Sequence, residues 1–132
     1  MTTDPIATFL AARRAYVAAV TADAAATAAY RAARPADPGP RADEATWDAY
    51  DDADNAAWLA AGCSRTMGAR MDACDAMLAA MPAALGASVG VPSDAMRDVA
   101  AVIDGVLSGR SPTARSRVVG LALSWQPSRV AA

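Results

Sequence analysis

The sequence of 132 residues contains no histidine and no lysine, so all twelve of its cationic side chains are arginine. The absence of histidine excludes imidazole general-base catalysis and histidine-ligated zinc or haem. The absence of lysine excludes Schiff-base enzymes and the phosphate-binding lysine of P-loop proteins. The sequence also lacks a nucleophile–base pair and a glycine-rich phosphate loop. It therefore predicts a protein that is not an enzyme and needs no cofactor.

Large aliphatic side chains are scarce as well. Leu, Ile, Val and Phe together number 20, about 15% of the chain, whereas alanine alone numbers 38. A share this low is typical of disordered chains when the net charge is high. Here the formal net charge is only −2, and alanine is the strongest helix former. The composition predicts an all-α protein with a thin core.

Segments that direct a chain to or across a membrane are not recognisable. We find no signal-peptide pattern and no uncharged apolar run of about 18 residues. Cys63 and Cys74 lie eleven positions apart in one predicted helix, about 16 Å at the helical rise, which is too far for a disulfide. Free thiols are typical of reducing compartments. We expect a cytoplasmic protein.

Apolar periodicity and capping residues predict one helical domain over 1–132. Asp4 is a suitable N-cap and Pro5 suits the first position of the first helix. Asp43 is the expected N-cap of the second helix, and Gly109 suits the position just after the end of the third. Gly62 predicts a kink in the second helix, and Pro82 is expected to end it. Ser93 and Ser111 are the expected N-caps of the two later helices. The four predicted helices span about 5–34, 43–81, 93–108 and 112–125.

The predicted architecture is a long antiparallel hairpin of the first two helices, with the two shorter helices packed on it. Arg13 and Arg31 fall near the centre of the apolar stripe of the first helix. One interpretation is that their charged ends reach solvent from the ends of the stripe. The other is that they pair with acids on a neighbouring helix. In the predicted hairpin Arg31 comes level with Trp47 and near Asp51.

An aromatic stripe on the second helix is the predicted partner-binding surface. Trp47 and Trp58 superimpose within about 20° on a helical wheel, and Tyr50 and Asp54 lie beside them. An alanine face adjoins this stripe and would let another helix approach closely. Because the core is thin, the sequence predicts a small protein–protein interaction module of adaptor or inhibitor type, or a homo-oligomer.

A nucleic-acid-binding function is the first alternative. The last two predicted helices and their glycine-containing turn resemble a helix-turn-helix in outline, and the C-terminal quarter carries four arginines and no acid. Against it stand Asp104, close to the expected apolar face, and the net negative charge of the chain. A capped helix hairpin with surface arginines explains the same pattern. The candidate contacts are Arg110, Ser111, Thr113, Arg115 and Arg117.

A copper(I) site is the second alternative. Thiolate and thioether ligands prefer Cu(I) and need no histidine. Methionine also fills irregular gaps in cores, and free cysteine is commonly buried, so core packing is the favoured explanation of the same stripe. A flexible partner-binding groove is a further one. The residues that recur at steps of three and four are Cys63, Met67, Met71 and Cys74.

Overall fold

The computed structural model describes residues 3–109 and 112–128 and shows an all-α helical bundle, which confirms the predicted fold class. Within these ranges there is no β-strand, and no helix is long and apolar enough to cross a membrane. The helices are α1 Pro5–Ala33, α2 Glu44–Ala61, α3 Cys63–Ala87, α4 Ser93–Leu107 and α5 Pro112–Ser124.

Contacts between residues divide the chain into two compact units. Unit 1 comprises the residues up to Val17 and those from Met71 onward, and unit 2 comprises Ala18–Arg70. The boundaries fall within α1 and within α3, so each of these helices contributes to both units. A single domain over 1–132 stays a prediction.

The two N-caps predicted for the hairpin helices form as expected. The carboxylate of Asp4 accepts a hydrogen bond from the backbone N–H of Ile6 at 3.0 Å. Asp43 accepts one from the N–H of Thr46 at 2.9 Å. Hydrogen bonding to the Thr46 side chain, and then to this N–H, holds the pKa of the Asp43 carboxyl below its usual range. Both bonds satisfy N–H groups that have no partner within the helix.

The predicted kink at Gly62 is a complete break. Gly62 adopts φ +74°, in the left-handed region, and its N–H bonds to the carbonyl of Leu59 at 3.1 Å. This is a common way for a helix to end at glycine. The chain resumes helical geometry at Cys63. The predicted second helix is therefore two helices, α2 and α3.

The expectation that Pro82 ends this helix is wrong, because α3 continues through it to Ala87. An interior proline removes one backbone hydrogen bond and costs about 3 kcal/mol. Met81, Ala84 and Leu85, on both sides of the proline, are all buried in the core. We attribute the continuation to this burial, which offsets the cost of the proline.

The ends of α4 differ in part from expectation. Pro92, and not Ser93, occupies the N-cap position, and no side chain caps this end. At the other end Ser108 is the C-cap and Gly109 follows with φ +75°, as a glycine at this position commonly does. Ser111, the predicted cap of the last helix, lies outside the described residues.

Unit 1 contains the main hydrophobic core. Its side chains come from the start of α1, the second half of α3, α4 and α5. Phe9 is fully buried, and its ring lies 5.4 Å from that of Trp125 in a tilted contact. The buried members are Ile6, Phe9, Cys74, Met77, Leu78, Met81, Ala84, Leu85, Ile103, Val106, Val118 and Ala122.

Unit 2 is an antiparallel hairpin of the second part of α1 against α2 and the start of α3. Contacts run from Arg34–Tyr50 through Tyr30–Asp54 to Asp23–Thr66. Because residue numbers fall along α1 while they rise along its neighbours, the helices are antiparallel, as predicted. The buried residues of this unit are Ala26 and Cys63.

Candidate functional site

The aromatic stripe predicted to bind a partner lies against α1 within unit 2. The hydroxyl of Tyr50 accepts a hydrogen bond from Arg34 Nη2 at 2.7 Å, which raises the pKa of Arg34. The carboxylate of Asp54 accepts one from the hydroxyl of Tyr30 at 2.6 Å. This bond raises the pKa of Tyr30 above its ordinary value. Arg34 Nε also lies 3.5 Å from Asp54, as an ion pair.

Both tryptophans of the stripe make edge-to-face contacts with a tyrosine ring. The ring of Trp58 meets that of Tyr30 edge to face at 5.2 Å, and its indole N–H donates to Ser64 Oγ at 2.9 Å. Trp47 meets Tyr50 edge to face at 5.5 Å. Trp47, Tyr50, Asp54 and Trp58 are all half-buried. The Trp58 contact joins α2 to α1, whereas the Trp47 contact lies within α2. A role of the stripe in partner binding stays a prediction.

The cation bonded to this stripe is Arg34, the first residue after α1, and both Arg34 and Arg31 are exposed. Sequence reasoning placed Arg31 level with Trp47. The predicted type of contact therefore forms three residues later, just beyond the end of α1.

The residues of the copper alternative do not share one environment. Cys63 and Cys74 are both free and buried, and Cys63 Sγ lies 3.5 Å from the carbonyl of Ala26. Met67 and Met71 are 39% and 53% exposed. In the part of the chain that the structure describes, no group of three or more His, Cys, Asp or Glu side chains could hold a metal.

The candidate nucleic-acid contacts do not share one environment either. Arg115 Nη2 bonds to the carboxylate of Asp75 at 2.8 Å, and this contact raises the pKa of Arg115. Thr113 and Arg117 are exposed on α5. Arg110 and Ser111 lie outside the described residues.

A groove of about 400 Å³ runs between α4 and α5 in unit 1. Its lining is mainly apolar, with one acidic and one basic side chain among the lining residues. Sequence reasoning assigned Thr113 and Arg117 to nucleic acid and did not identify this groove. The lining residues are Asp98, Val99, Val102, Thr113, Ala114, Arg117, Val118 and Leu121.

The groove arises because α4 and α5 each carry an apolar stripe wider than the core can cover. On α4, Ile103 is buried while its neighbour Val102 remains 40% exposed. On α5, Ala122 is buried while its neighbour Leu121 remains 42% exposed. The outer edges of the two stripes therefore face the groove.

Each wall also carries a charge one helical turn before its exposed aliphatic residue. Asp98 precedes Val102 by four positions on α4, and Arg117 precedes Leu121 by four positions on α5. Both charged residues are exposed. Among residues 3–109 and 112–128, neither forms an ion pair.

A second hollow, of about 340 Å³, lies where α2 meets α3 in unit 2. It is lined by backbone near Gly62 and by polar as well as apolar side chains, among them Ser64 and Arg65. Its lining offers fewer large apolar side chains than the α4–α5 groove.

Comparison of the chain with models of protein families, with curated proteins and with solved structures finds no match.

Proposed function

We propose that the protein is a non-catalytic protein–protein interaction module, of adaptor or inhibitor type, that binds through the α4–α5 groove. The observation that carries this proposal is the exposure of Val102 and Leu121 on opposite walls of one apolar groove. Exposed contiguous apolar surface of this kind marks interaction sites. An amphipathic helix laid into such a groove would bury both side chains.

The shape of the groove favours a protein over a small molecule. Pockets for small ligands enclose most of the ligand surface. This groove is open to solvent along the two helices, and its polar side chains are Asp98 on one wall and Thr113 and Arg117 on the other. A helix that bears apolar residues at its centre and charges beside them matches this pattern better than an enclosed ligand does.

Two other surfaces support a function less well. In the stripe on α2, Trp58 and Asp54 contact Tyr30 of α1, and Tyr50 is bonded to Arg34. For nucleic acid, Arg115 is paired with Asp75, and Asp98 in the groove would repel phosphate. We place the protein in the cytoplasm because its two cysteines are free and buried.

Photo-crosslinking in the producing cells tests the proposed surface. A photoreactive phenylalanine analogue replaces Leu121 in the groove, or Leu123, which is 40% exposed but does not line the groove. The two positions are matched in residue type, helix and exposure. We expect a discrete protein adduct from position 121 and none from position 123.

A third position covers the surface on α2. Leu59 is 64% exposed there and takes the same analogue. Adducts from position 59 without any from 121 would place the binding surface on α2 instead of the groove. Equal adducts from 121 and 123, or none from 121, would contradict binding through the groove.

A further inference from the structure

We propose that the partner seated in the α4–α5 groove is a second copy of this chain, related by a twofold axis. This inference rests on the proposed function and names the partner of the same site. The juxtaposition behind it is the unpaired Asp98 on one wall and the unpaired Arg117 on the other, each beside an exposed aliphatic residue.

The two charges at the groove suit a twofold axis. A twofold axis midway between two points of a surface exchanges them, so a residue at one point meets the residue at the other point in the second copy. For Asp98 and Arg117 the exchange brings opposite charges together twice. One isologous interface would then contain two equivalent ion pairs. A surface that carries two unpaired charges of the same sign could not do this.

The exposed aliphatic residues beside the two charges belong to the same interface. Val102 follows Asp98, and Leu121 follows Arg117, at the same spacing of four residues. Val102 and Leu121 line the same groove as the two charges, so a second copy placed across the groove lies over both walls. Both exposed aliphatic side chains become covered in the same contact, which gives the interface an apolar centre with charges beside it, as protein interfaces commonly have.

The expected affinity of this dimer is low. Two helices present a small surface compared with that of a standard interface, and exposed ion pairs contribute little. The dimer should therefore be weak and should form only at high protein concentration. The charges would mainly select the partner and the orientation.

Charge reversal with crossed rescue tests the inference. Asp98→Arg gives a chain with two positive charges at the groove, and Arg117→Asp gives one with two negative charges. Sedimentation equilibrium over a wide range of concentration should show wild-type mass rising above the 13.4 kDa of the monomer. Each variant alone should have its dissociation constant raised at least about tenfold.

An equimolar mixture of the two variants decides the matter, because two ion pairs form again only between unlike chains, one as in wild type and one with its sign reversed. We expect the mixture to associate at least as strongly as wild type, and this gain to shrink at high salt. Asp104→Arg is the matched control, since Asp104 is exposed on α4 but does not line the groove. It should associate like wild type.

A wild-type monomer at every concentration would overturn the inference. So would variants that associate like wild type, or a mixture no more associated than its components. None of these results alters the crosslinking outcome at position 121. Adducts of a mass other than that of the dimer would retain the proposed function and remove the second copy as the partner.

Discussion

One nitrogen of the Arg13 guanidinium, Nη1, donates a hydrogen bond to the backbone carbonyl of Trp125 at 2.6 Å, just beyond the last residue of α5. The same atom lies 3.3 Å from the carbonyl of Ala122. The final carbonyl groups of a helix have no partner within the helix and carry partial negative charge. Arg13 thus caps α5 from α1, and its guanidinium also lies 5.4 Å from the centre of the Phe9 ring.

Arg13→Ala should lower the free energy of unfolding by about 1.5–3 kcal/mol, because a charged donor is removed from half-buried carbonyl groups. Urea denaturation followed by circular dichroism measures this loss. Arg14→Ala is the control, since Arg14 is exposed on the same helix, and should change stability by less than about 0.5 kcal/mol. Equal effects of the two substitutions would contradict the capping role.

Two glycines of one region should respond to alanine with opposite signs. Gly62→Ala places a side chain at φ +74° and should destabilise by about 1–2 kcal/mol. Gly68 lies within α3 with open space around an added Cβ, so Gly68→Ala should stabilise by about 0.5–1 kcal/mol. Thermal unfolding of the two variants gives the comparison. Stabilisation by Gly62→Ala would show that α2 and α3 join as one helix.

Two methionines of α3 distinguish core packing from a ligand role. Met81 is fully buried and Met71 is 53% exposed. Met81→Ala should destabilise by about 2–5 kcal/mol through the cavity that it leaves. Met71→Ala should change stability by less than about 0.5 kcal/mol. If Cu(I) stabilised wild type against heat and Met71→Ala abolished that effect, the exposed methionine would be a ligand after all.

The bond between Tyr30 and Asp54 predicts a specific response to alkaline pH. Because the folded pKa of Tyr30 is raised, its contribution to stability is complete below the ordinary tyrosine pKa of about 10. It is lost as the pH rises through the raised folded value. Ultraviolet titration of tyrosinate should show one of the three tyrosines ionising late in wild type.

Asp54→Asn removes the charged acceptor and should return the late tyrosine towards its ordinary pKa. Asp52→Asn, at an exposed position of the same helix, is the control and should leave the late titration unchanged. Titration curves that are identical in wild type and Asp54→Asn would argue against the Tyr30–Asp54 bond.

Local signals in the sequence predicted the helices well where a cap decides the end. Asp4 with Pro5, Asp43 and Gly109 all act through bonds or dihedral angles of their immediate neighbours, so a short window contains the cause. The expectation that Pro82 ends a helix was wrong because burial against other helices offsets the free-energy cost of the proline. The local sequence around Pro82 does not show that burial.

The candidate site was less predictable for the same reason. The stripe containing Trp58 was correctly placed on one face of α2, but wheel positions do not reveal that α1 covers that face. The register of α1 shifted the predicted arginine contact from Arg31 to Arg34. The groove needs α4 and α5 side by side, and neither Val102 nor Leu121 differs in sequence from an ordinary core residue.

The central claim is that the α4–α5 groove is the surface that a second copy covers. Amide chemical shifts recorded by NMR over a series of protein concentrations test it without any substitution. The account predicts concentration-dependent shifts at Val99, Val102 and Leu121, with the indole signals of Trp47 and Trp58 unchanged. Shifts confined to α2, or spectra that do not change with concentration, would contradict it.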